Sequence, residues 1–176
     1  MANIDGRSAE EFADFYRRDF LRVVRILIQL GAGFDDARDV AQESYTRAWA
    51  GWSEIRNPDG WVRVIALREY QRQAQRAAEE VRRVQASGWS TESRPSEVSL
   101  SDEARSVTEA IAGLPQRQAQ VIALTIDGYR PREIASLLSK IHLNGPPVSA
   151  NAVSAALLQA RRTLKEKLVD GQGGAR

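Results

Sequence analysis

The sequence predicts an all-α protein built from two small helical domains joined by a flexible linker. Apolar residues recur at helical spacing along most of the 176 residues, and no stretch shows the alternation expected of a half-buried strand. A segment rich in serine, glycine and proline, residues 86–101, interrupts this pattern. The chain therefore divides into a first helical domain at 8–85, a linker at 86–101 and a second helical domain at 102–170.

The composition fits a globular protein of a reducing compartment. Hydrophobic residues make up 43% of the chain and charged residues 27%, and there is no cysteine for disulfides or thiolate metal sites. The first residues lack a signal-peptide pattern, and no apolar run is long enough to cross a bilayer. We expect a cytoplasmic protein without membrane insertion. Nearly all of the positive charge is arginine, whose planar guanidinium suits phosphate groups.

The first helix begins at a predicted capping box, Ser8 with Glu11. The break "GAGF" follows, and Asp35 or Asp36 can cap the second helix. In the second helix one face is apolar or small, and the opposite face is polar. The polar residues are Asp39, Gln42, Glu43 and Thr46. On pattern alone, a solvated face with a Glu43–Arg47 pair is the favoured interpretation.

The third helix is predicted to start with Asn57 as N-cap and Pro58 in its first turn, and to run to about residue 84. One face carries an aromatic residue followed by arginines, with steps of three or four residues between them. This face comprises Trp61, Ile65, Arg68, Arg72 and Arg76. Such a ladder suits a nucleic-acid backbone, although Glu69 partly neutralises it.

The linker contains Trp89, for which two roles stay open: a ring resting on a neighbouring domain, or an anchor on a partner. Beyond it, a helix from about residue 104 and another from Pro115 precede two final helices. These last two resemble a helix-turn-helix, with Ser149 as N-cap of the second one. Its first turns would offer the major groove Asn151, Ala155, Leu158, Gln159 and Arg162. A plain helical hairpin has the same pattern.

Enzymatic chemistry has little support in the sequence. His142 is the only histidine, no cysteine accompanies it, and no nucleophile motif is present. We therefore expect a binding protein without catalytic residues, metal or cofactor.

Taken in order, four segments resemble bacterial sigma factors of the extracytoplasmic-function group. "DARDVAQESYTRAW" is similar to the segment that binds core RNA polymerase, and "IRNPDGWVRVIA" to the segment that meets the minus-10 promoter element. "LPQRQAQVIALTIDGYRPREIA" and "VSANAVSAALLQARRTLKEKL" resemble region four, which reads the minus-35 element. The resemblance covers residues 10–83 and 103–168, and makes the two domains sigma region two and sigma region four.

The resemblance implies three sets of site residues. Those for core polymerase, at its beta and beta-prime subunits, are Asp39, Gln42, Glu43 and Thr46. Those for the opened minus-10 strand, whose base would be flipped into a pocket, are Asn57, Asp59, Trp61, Arg63, Arg68, Arg72 and Arg76. Those for minus-35 DNA are Arg132, Ser149, Asn151, Ser154, Gln159, Arg161 and Arg162. Promoter DNA is thus an implied partner, and the resemblance leaves an anti-sigma factor open as another.

The chain departs from the family pattern in three places. Leu67, Arg68 and Arg72 replace an Ala-Arg-Asn run and a later Asp on the minus-10 helix. Ser154 and Ala156 stand where the family commonly carries Lys and Arg, which predicts weaker, less salt-dependent DNA binding.

The third departure is the turn Ser139–Pro147, which is about eight residues longer than the usual connection of a helix-turn-helix. It is either a passive bulge on the solvent side or a device by which Lys140 and His142 reach DNA phosphates or polymerase. The second interpretation is slightly favoured.

The function predicted is that of an alternative sigma factor that directs transcription initiation at promoters. Two alternatives remain: a stand-alone helix-turn-helix regulator, and a helical adaptor that binds polymerase but reads no promoter. The polar face of the second helix discriminates between the sigma factor and the stand-alone regulator, since a stand-alone regulator has no use for a polymerase-binding site.

Overall fold

The computed structural model describes residues 8–86, 102–142 and 145–173, and all regular structure within them is α-helical. The predicted linker from residue 87 onward, with Trp89, lies outside the described residues. The seven helices are α1 (Ala9–Gln29), α2 (Phe34–Ala50), α3 (Pro58–Ala86), α4 (Asp102–Ala112), α5 (Gln116–Ile126), α6 (Pro131–Ile141) and α7 (Ala150–Gly173). The last helix continues a few residues past the predicted boundary at 170.

The helix starts follow the sequence signals in three of four predicted cases. Ser8 and Glu11 form the reciprocal capping box. Asn57 Oδ1 accepts a hydrogen bond from the Gly60 amide at 3.2 Å, and Ser149 Oγ accepts one from the Ala152 amide at 3.1 Å. The prediction for α2 is wrong, because the helix already begins at Phe34 and its N-cap position is occupied by Gly33.

In the amino-terminal group, helices α1, α2 and α3, an aromatic cluster joins α1 to α2 and to the turn after it. The Phe12 ring lies 4.9 Å from Trp49 and 5.1 Å from Trp52, and the Phe15 ring lies 5.5 Å from Tyr45. Aromatic pairs at these distances add to the stabilisation from burial alone. This cluster fixes α2 against α1 and leaves the polar side of α2 facing outward.

Helices α4 to α7, the carboxy-terminal group, do not stand apart from the first three. One continuous apolar core contains residues of both groups, among them Leu27, Val62, Leu124 and Ile134. The contact between α3 and α6 is close: a Cβ added at Gly60 would lie 3.4 Å from Leu137 Cδ2. The two helical units predicted from the sequence are therefore packed against each other through α3 and α6.

Candidate polymerase and nucleic-acid surfaces

The polar face of α2 is fully available at the surface. Its four predicted polymerase-binding residues, Asp39, Gln42, Glu43 and Thr46, are all exposed, while the opposite face is buried. Neighbouring side chains hold the face in place: Tyr16 donates a hydrogen bond to Gln42 Oε1 at 2.9 Å, and Arg47 donates one to Glu43 at 2.8 Å. The result is a fixed strip of acidic and amide groups.

The first turns of α3 are less accessible than the sequence indicated. Asn57 is exposed, but its side-chain oxygen caps the helix. Asp59 and Trp61 are half-buried. Arg63, predicted to face DNA, is 1% exposed in this arrangement and points into the interior.

Every N–H of the Arg63 guanidinium has a partner. Its two terminal nitrogens donate to the carboxylate oxygens of Asp19, at 2.6 and 2.8 Å. Its Nε and Nη2 donate to Asp127 Oδ2 at 3.0 and 2.8 Å, and Nη1 also donates to the Asp59 carbonyl at 3.2 Å. Arginine tolerates burial when its five donors are matched in this way.

Asp127 connects the two helical groups. It lies 5% exposed in the turn after α5, where Gly128 has a φ of 98° that favours glycine. Besides Arg63, it accepts a hydrogen bond from Arg22 Nε at 3.0 Å, and Arg25 Nη2 lies 3.6 Å from its Oδ1. Three arginines of the amino-terminal group thus converge on one carboxylate of the carboxy-terminal group.

The charges in this cluster shift the titration of its members. Burial alone would raise the pKa of Asp19, but its bonds to Arg63 and Tyr45 and the charges of Arg63 and Arg22 outweigh burial, so its pKa lies below the ordinary value. Burial and the Asp19 carboxylate raise the pKa of Tyr45, whose hydroxyl donates to Asp19 at 2.8 Å. The cluster therefore favours an ionised aspartate and a neutral tyrosine.

The three arginines of the predicted ladder, Arg68, Arg72 and Arg76, lie in three environments. Arg68 donates to the Lys140 carbonyl of α6, across the two groups. Arg72 pairs with Glu69 at 2.8 Å, as the sequence suggested, and Arg76 is exposed on the outer half of the helix. The ladder is thus a mixture of a contact between the two helical groups, a neutralised pair and an arginine that pairs with no carboxylate of the described residues, rather than one uniform surface.

The helix-turn-helix is formed by α6 and α7, with its predicted DNA residues on the outside. Ile134, Leu138 and Val153 are buried where the helices pack. The seven predicted minus-35 residues, Arg132, Ser149, Asn151, Ser154, Gln159, Arg161 and Arg162, are all exposed. Three are already engaged with α7: Ser149 accepts from the Ala152 amide, Ser154 donates to the Ala150 carbonyl at 3.0 Å, and Arg162 donates to Glu166 at 3.2 Å.

The enlarged turn is closed at its base by Ser139. Its hydroxyl donates to the Ala135 carbonyl at 2.8 Å and accepts a hydrogen bond from the Val148 amide at 2.8 Å. The turn leaves the helix at His142, and burial together with the Arg117 charge lowers the pKa of that imidazole. The prediction that Lys140 and His142 reach DNA or polymerase stays a prediction; here they lie beside α3 and α5.

The three predicted surfaces thus differ in how accessible they are. The polar face of α2 and the outer face of α7 are open, whereas α3 is covered by α6 at Gly60 and Arg68, and Arg63 is enclosed by Asp19 and Asp127. Asp19 and Asp127, which hold Arg63 in the interior, were not identified from the sequence. For Asp19 a signal existed: it falls four residues after Phe15 and four before Val23, within the buried stripe of α1.

The described residues contain no group of three or more acidic, histidine or cysteine side chains placed to hold a metal ion. None of their helices combines the length and apolarity needed to span a bilayer.

Comparison with known proteins finds likeness in structure only. No family description and no curated protein matches the chain. The sigma factor RpoE of Bartonella quintana, solved with the anti-sigma factor NepR, is 20% identical with a TM-score of 0.71 over 91% of this chain and 98% of that one. CnrH, solved with the cytosolic domain of CnrY, is 22% identical with a TM-score of 0.65 over 93% of this chain and 90% of that one. The chain has the fold of these proteins, which confirms the all-helical fold predicted from the sequence.

Proposed function

We propose that this chain is an alternative sigma factor, acting in the cytoplasm, that binds core RNA polymerase and directs it to promoters. In this proposal α2 binds polymerase, the start of α3 meets the minus-10 element, and α7 reads the minus-35 element. The chain contributes binding and strand separation, while the polymerase performs the chemistry. The fold shared with a sigma factor supports the proposal.

The observation that carries the proposal is the exposed strip on α2. Asp39, Gln42, Glu43 and Thr46 are exposed on the same fold whose α6 and α7 have the order of a helix-turn-helix. A stand-alone regulator needs only the helix-turn-helix, so the strip would have no purpose in it. Electrostatic and amide groups held in a fixed arrangement suit a specific protein partner.

The minus-35 assignment rests on α7. Asn151, Gln159 and Arg161 are exposed, and amide and guanidinium groups are the side chains that read base edges and phosphates. Leu158 is 73% exposed on the same helix, where it could contact a thymine methyl group. These exposed side chains lie on the helix that follows the enlarged turn, as in a helix-turn-helix reader.

The minus-10 assignment requires the two helical groups to separate. Trp61 is half-buried and the region from Gly60 to Arg68 is covered by α6. We therefore infer that the arrangement seen here is a closed form, and that promoter binding draws on an open form in which α6 leaves α3. Binding to polymerase would favour the open form if the two groups occupy separated positions on it.

An anti-sigma factor belongs among the proposed partners. One protein of the same fold was solved with an anti-sigma factor, and the other with the cytosolic domain of a second protein. A partner that binds only the closed form would hold this chain inactive by mass action.

The deciding experiment is run-off transcription with purified core polymerase on a genomic fragment library. We expect specific starts with the intact chain, and a loss of them in the double variant Asp39→Ala/Glu43→Ala, together with at least about a tenfold drop in core affinity. Glu109→Ala is the matched control, because it removes an exposed carboxylate from α4 without touching α2.

Three results would contradict the proposal. Absence of any specific start with the intact chain would overturn it. Retained DNA binding without polymerase binding would favour the stand-alone regulator, and polymerase binding without promoter selection would favour the adaptor.

A further inference from the structure

A basic cavity of about 630 Å³ lies where α3, α5 and the enlarged turn meet. Arg68 comes from the amino-terminal group, and Arg117 and His142 come from the carboxy-terminal group. Gln116 and Gln120 add two amides, while Ile141 and Pro146 add apolar walls. The cavity therefore combines residues of both groups.

No acidic side chain of the described residues balances the two arginines. None of the residues that line the cavity is a carboxylate, and among the described residues no carboxylate pairs with Arg68 or Arg117. This contrasts with Arg63 and Arg72 of the same α3, which both have acidic partners. Two guanidinium groups in a concave site without counter-charge attract an anion.

Several polar atoms of the cavity also lack partners. The Arg68 Nε is buried and makes no hydrogen bond, although its Nη2 donates to the Lys140 carbonyl. Gln120 is only 2% exposed, and its side-chain oxygen likewise has no partner. Both atoms are cut off from solvent, so the exposed Gln116 amide is the neutral polar group that a ligand in the cavity can meet. The cavity thus offers the arginines to anionic oxygens and the Gln116 amide to a donor of the ligand.

We propose that this cavity binds a small phosphate-bearing molecule that also carries a hydroxyl or amino donor, such as a nucleoside phosphate. Guanidinium groups bind phosphate through paired, charge-assisted hydrogen bonds. The volume falls in the range of sites for small molecules and exceeds what a lone phosphate needs. The apolar walls at Ile141 and Pro146 suit the less polar part of such a ligand.

The site has a consequence for the closed form. A ligand that contacts both Arg68 and Arg117 bridges the two helical groups, so it binds the closed form better than an open one. By linkage, the ligand stabilises the closed form and weakens whatever requires the open form. That last step, in which promoter binding is weakened, rests on the proposed function; the binding and the closure do not.

The binding test uses the full chain, with guanosine triphosphate, adenosine triphosphate and inorganic pyrophosphate as probes, in isothermal titration calorimetry. We expect a nucleoside triphosphate to bind the unaltered protein, and Arg117→Ala to weaken it by about tenfold or more. Arg117 is exposed, so its removal should leave the fold intact, which circular dichroism checks. Arg105→Ala, which removes an exposed arginine of α4, controls for net charge and should bind like the unaltered chain.

Three outcomes would overturn the proposal. The first is no binding of any probe, and the second is equal weakening in Arg105→Ala and Arg117→Ala, which would indicate general charge attraction. The third is binding of a short single-stranded oligonucleotide, but of no mononucleotide, that depends on Arg117. In that case the phosphates recognised would be those of a DNA backbone.

Closure is read separately by fluorescence transfer between two labels. Because the chain has no cysteine, Ser53→Cys and Lys165→Cys would be its only labelling sites, one in each helical group. We expect the ligand to narrow the distance distribution toward the closed form, and Arg117→Ala to abolish this response. Neither measurement needs polymerase or promoter, so a failed transcription assay would leave this proposal standing. Binding without any change in the distances would overturn the closure.

Discussion

The Arg63 guanidinium and the Asp127 carboxylate meet 2.8 Å apart in the interior, although they come from different helical groups. Both side chains are 1% exposed. Asp19 completes the cluster from α1, again with both partners buried. Taking these charges out of water is expensive, and it is offset here by a full set of hydrogen bonds. The position of α3 against the carboxy-terminal group is therefore specified by charge geometry as well as by apolar contact.

Replacing Arg63 should destabilise the protein strongly. Arg63→Met leaves two buried carboxylates without their main counter-charge, and removing one partner of such a pair costs about 3–5 kcal/mol. Urea denaturation followed by circular dichroism measures the loss. Arg17→Met is the control, since the Arg17–Asp14 pair lies at the surface and should contribute less than about 1 kcal/mol. Similar losses in the two variants would contradict the role assigned to the cluster.

Asp127→Asn should open the molecule more than it unfolds it. The substitution keeps the side-chain shape but removes the charge on which Arg22, Arg25 and Arg63 converge. We expect a larger radius of gyration by small-angle X-ray scattering and tighter binding of a single-stranded minus-10 oligonucleotide. Asp14→Asn, at an exposed pair, should change neither quantity. An unchanged radius would mean that the apolar core alone holds the groups together.

Acid should weaken the fold through Asp19. Its pKa is lower in the folded chain than in the unfolded one, so the unfolded state takes up a proton first as the pH falls. The stabilisation is present above the ordinary aspartate pKa of about 4 and is lost as the pH falls through the lower folded value. Urea midpoints measured from neutral pH downward should show this loss. Asp19→Asn should be less stable at neutral pH, and its urea midpoint should fall less as the pH is lowered. If the midpoints of the variant and the unaltered chain fell by the same amount, Asp19 would not be the source of the acid sensitivity.

Most of the local structure, but only part of the site, could be predicted from the sequence. Ser8, Asn57 and Ser149 were readable as caps because a cap is a contact between residues three apart. The buried position of Arg63 was also readable in principle: Ala66, Leu67 and Tyr70 follow it at three, four and seven residues, on the inward side of α3. The family resemblance instead directed attention to a DNA-facing role for this arginine.

The position of Asp127 beside Arg63 could not be predicted in the same way. Asp127 precedes a glycine in "TIDGYRP", where an aspartate is expected for turn chemistry alone. Its burial depends on how α5 and α6 lie against α1 and α3, and periodicity within one helix does not encode that packing. The cavity could not be predicted for the same reason, because its two arginines are about fifty residues apart in the chain and belong to different helical groups.

The two arginines at the centre of α7 should contribute unequally to DNA binding. Arg162 donates to Glu166 at 3.2 Å, whereas among the described residues no carboxylate pairs with Arg161. If Arg161 contacts a phosphate, Arg161→Ala should weaken binding to all sequences alike and reduce the slope of log affinity against log salt by about one.

Glu166→Gln should act in the opposite direction, because it frees the Arg162 guanidinium for a phosphate and removes a repelling charge. Fluorescence anisotropy with a promoter duplex, titrated at several salt concentrations, measures both slopes. Lys140→Ala, which removes a cation from α6, tests whether the enlarged turn supplies a further phosphate contact. If Arg161→Ala had the same slope of log affinity against log salt as the unaltered chain, Arg161 would not be among the phosphate contacts of α7.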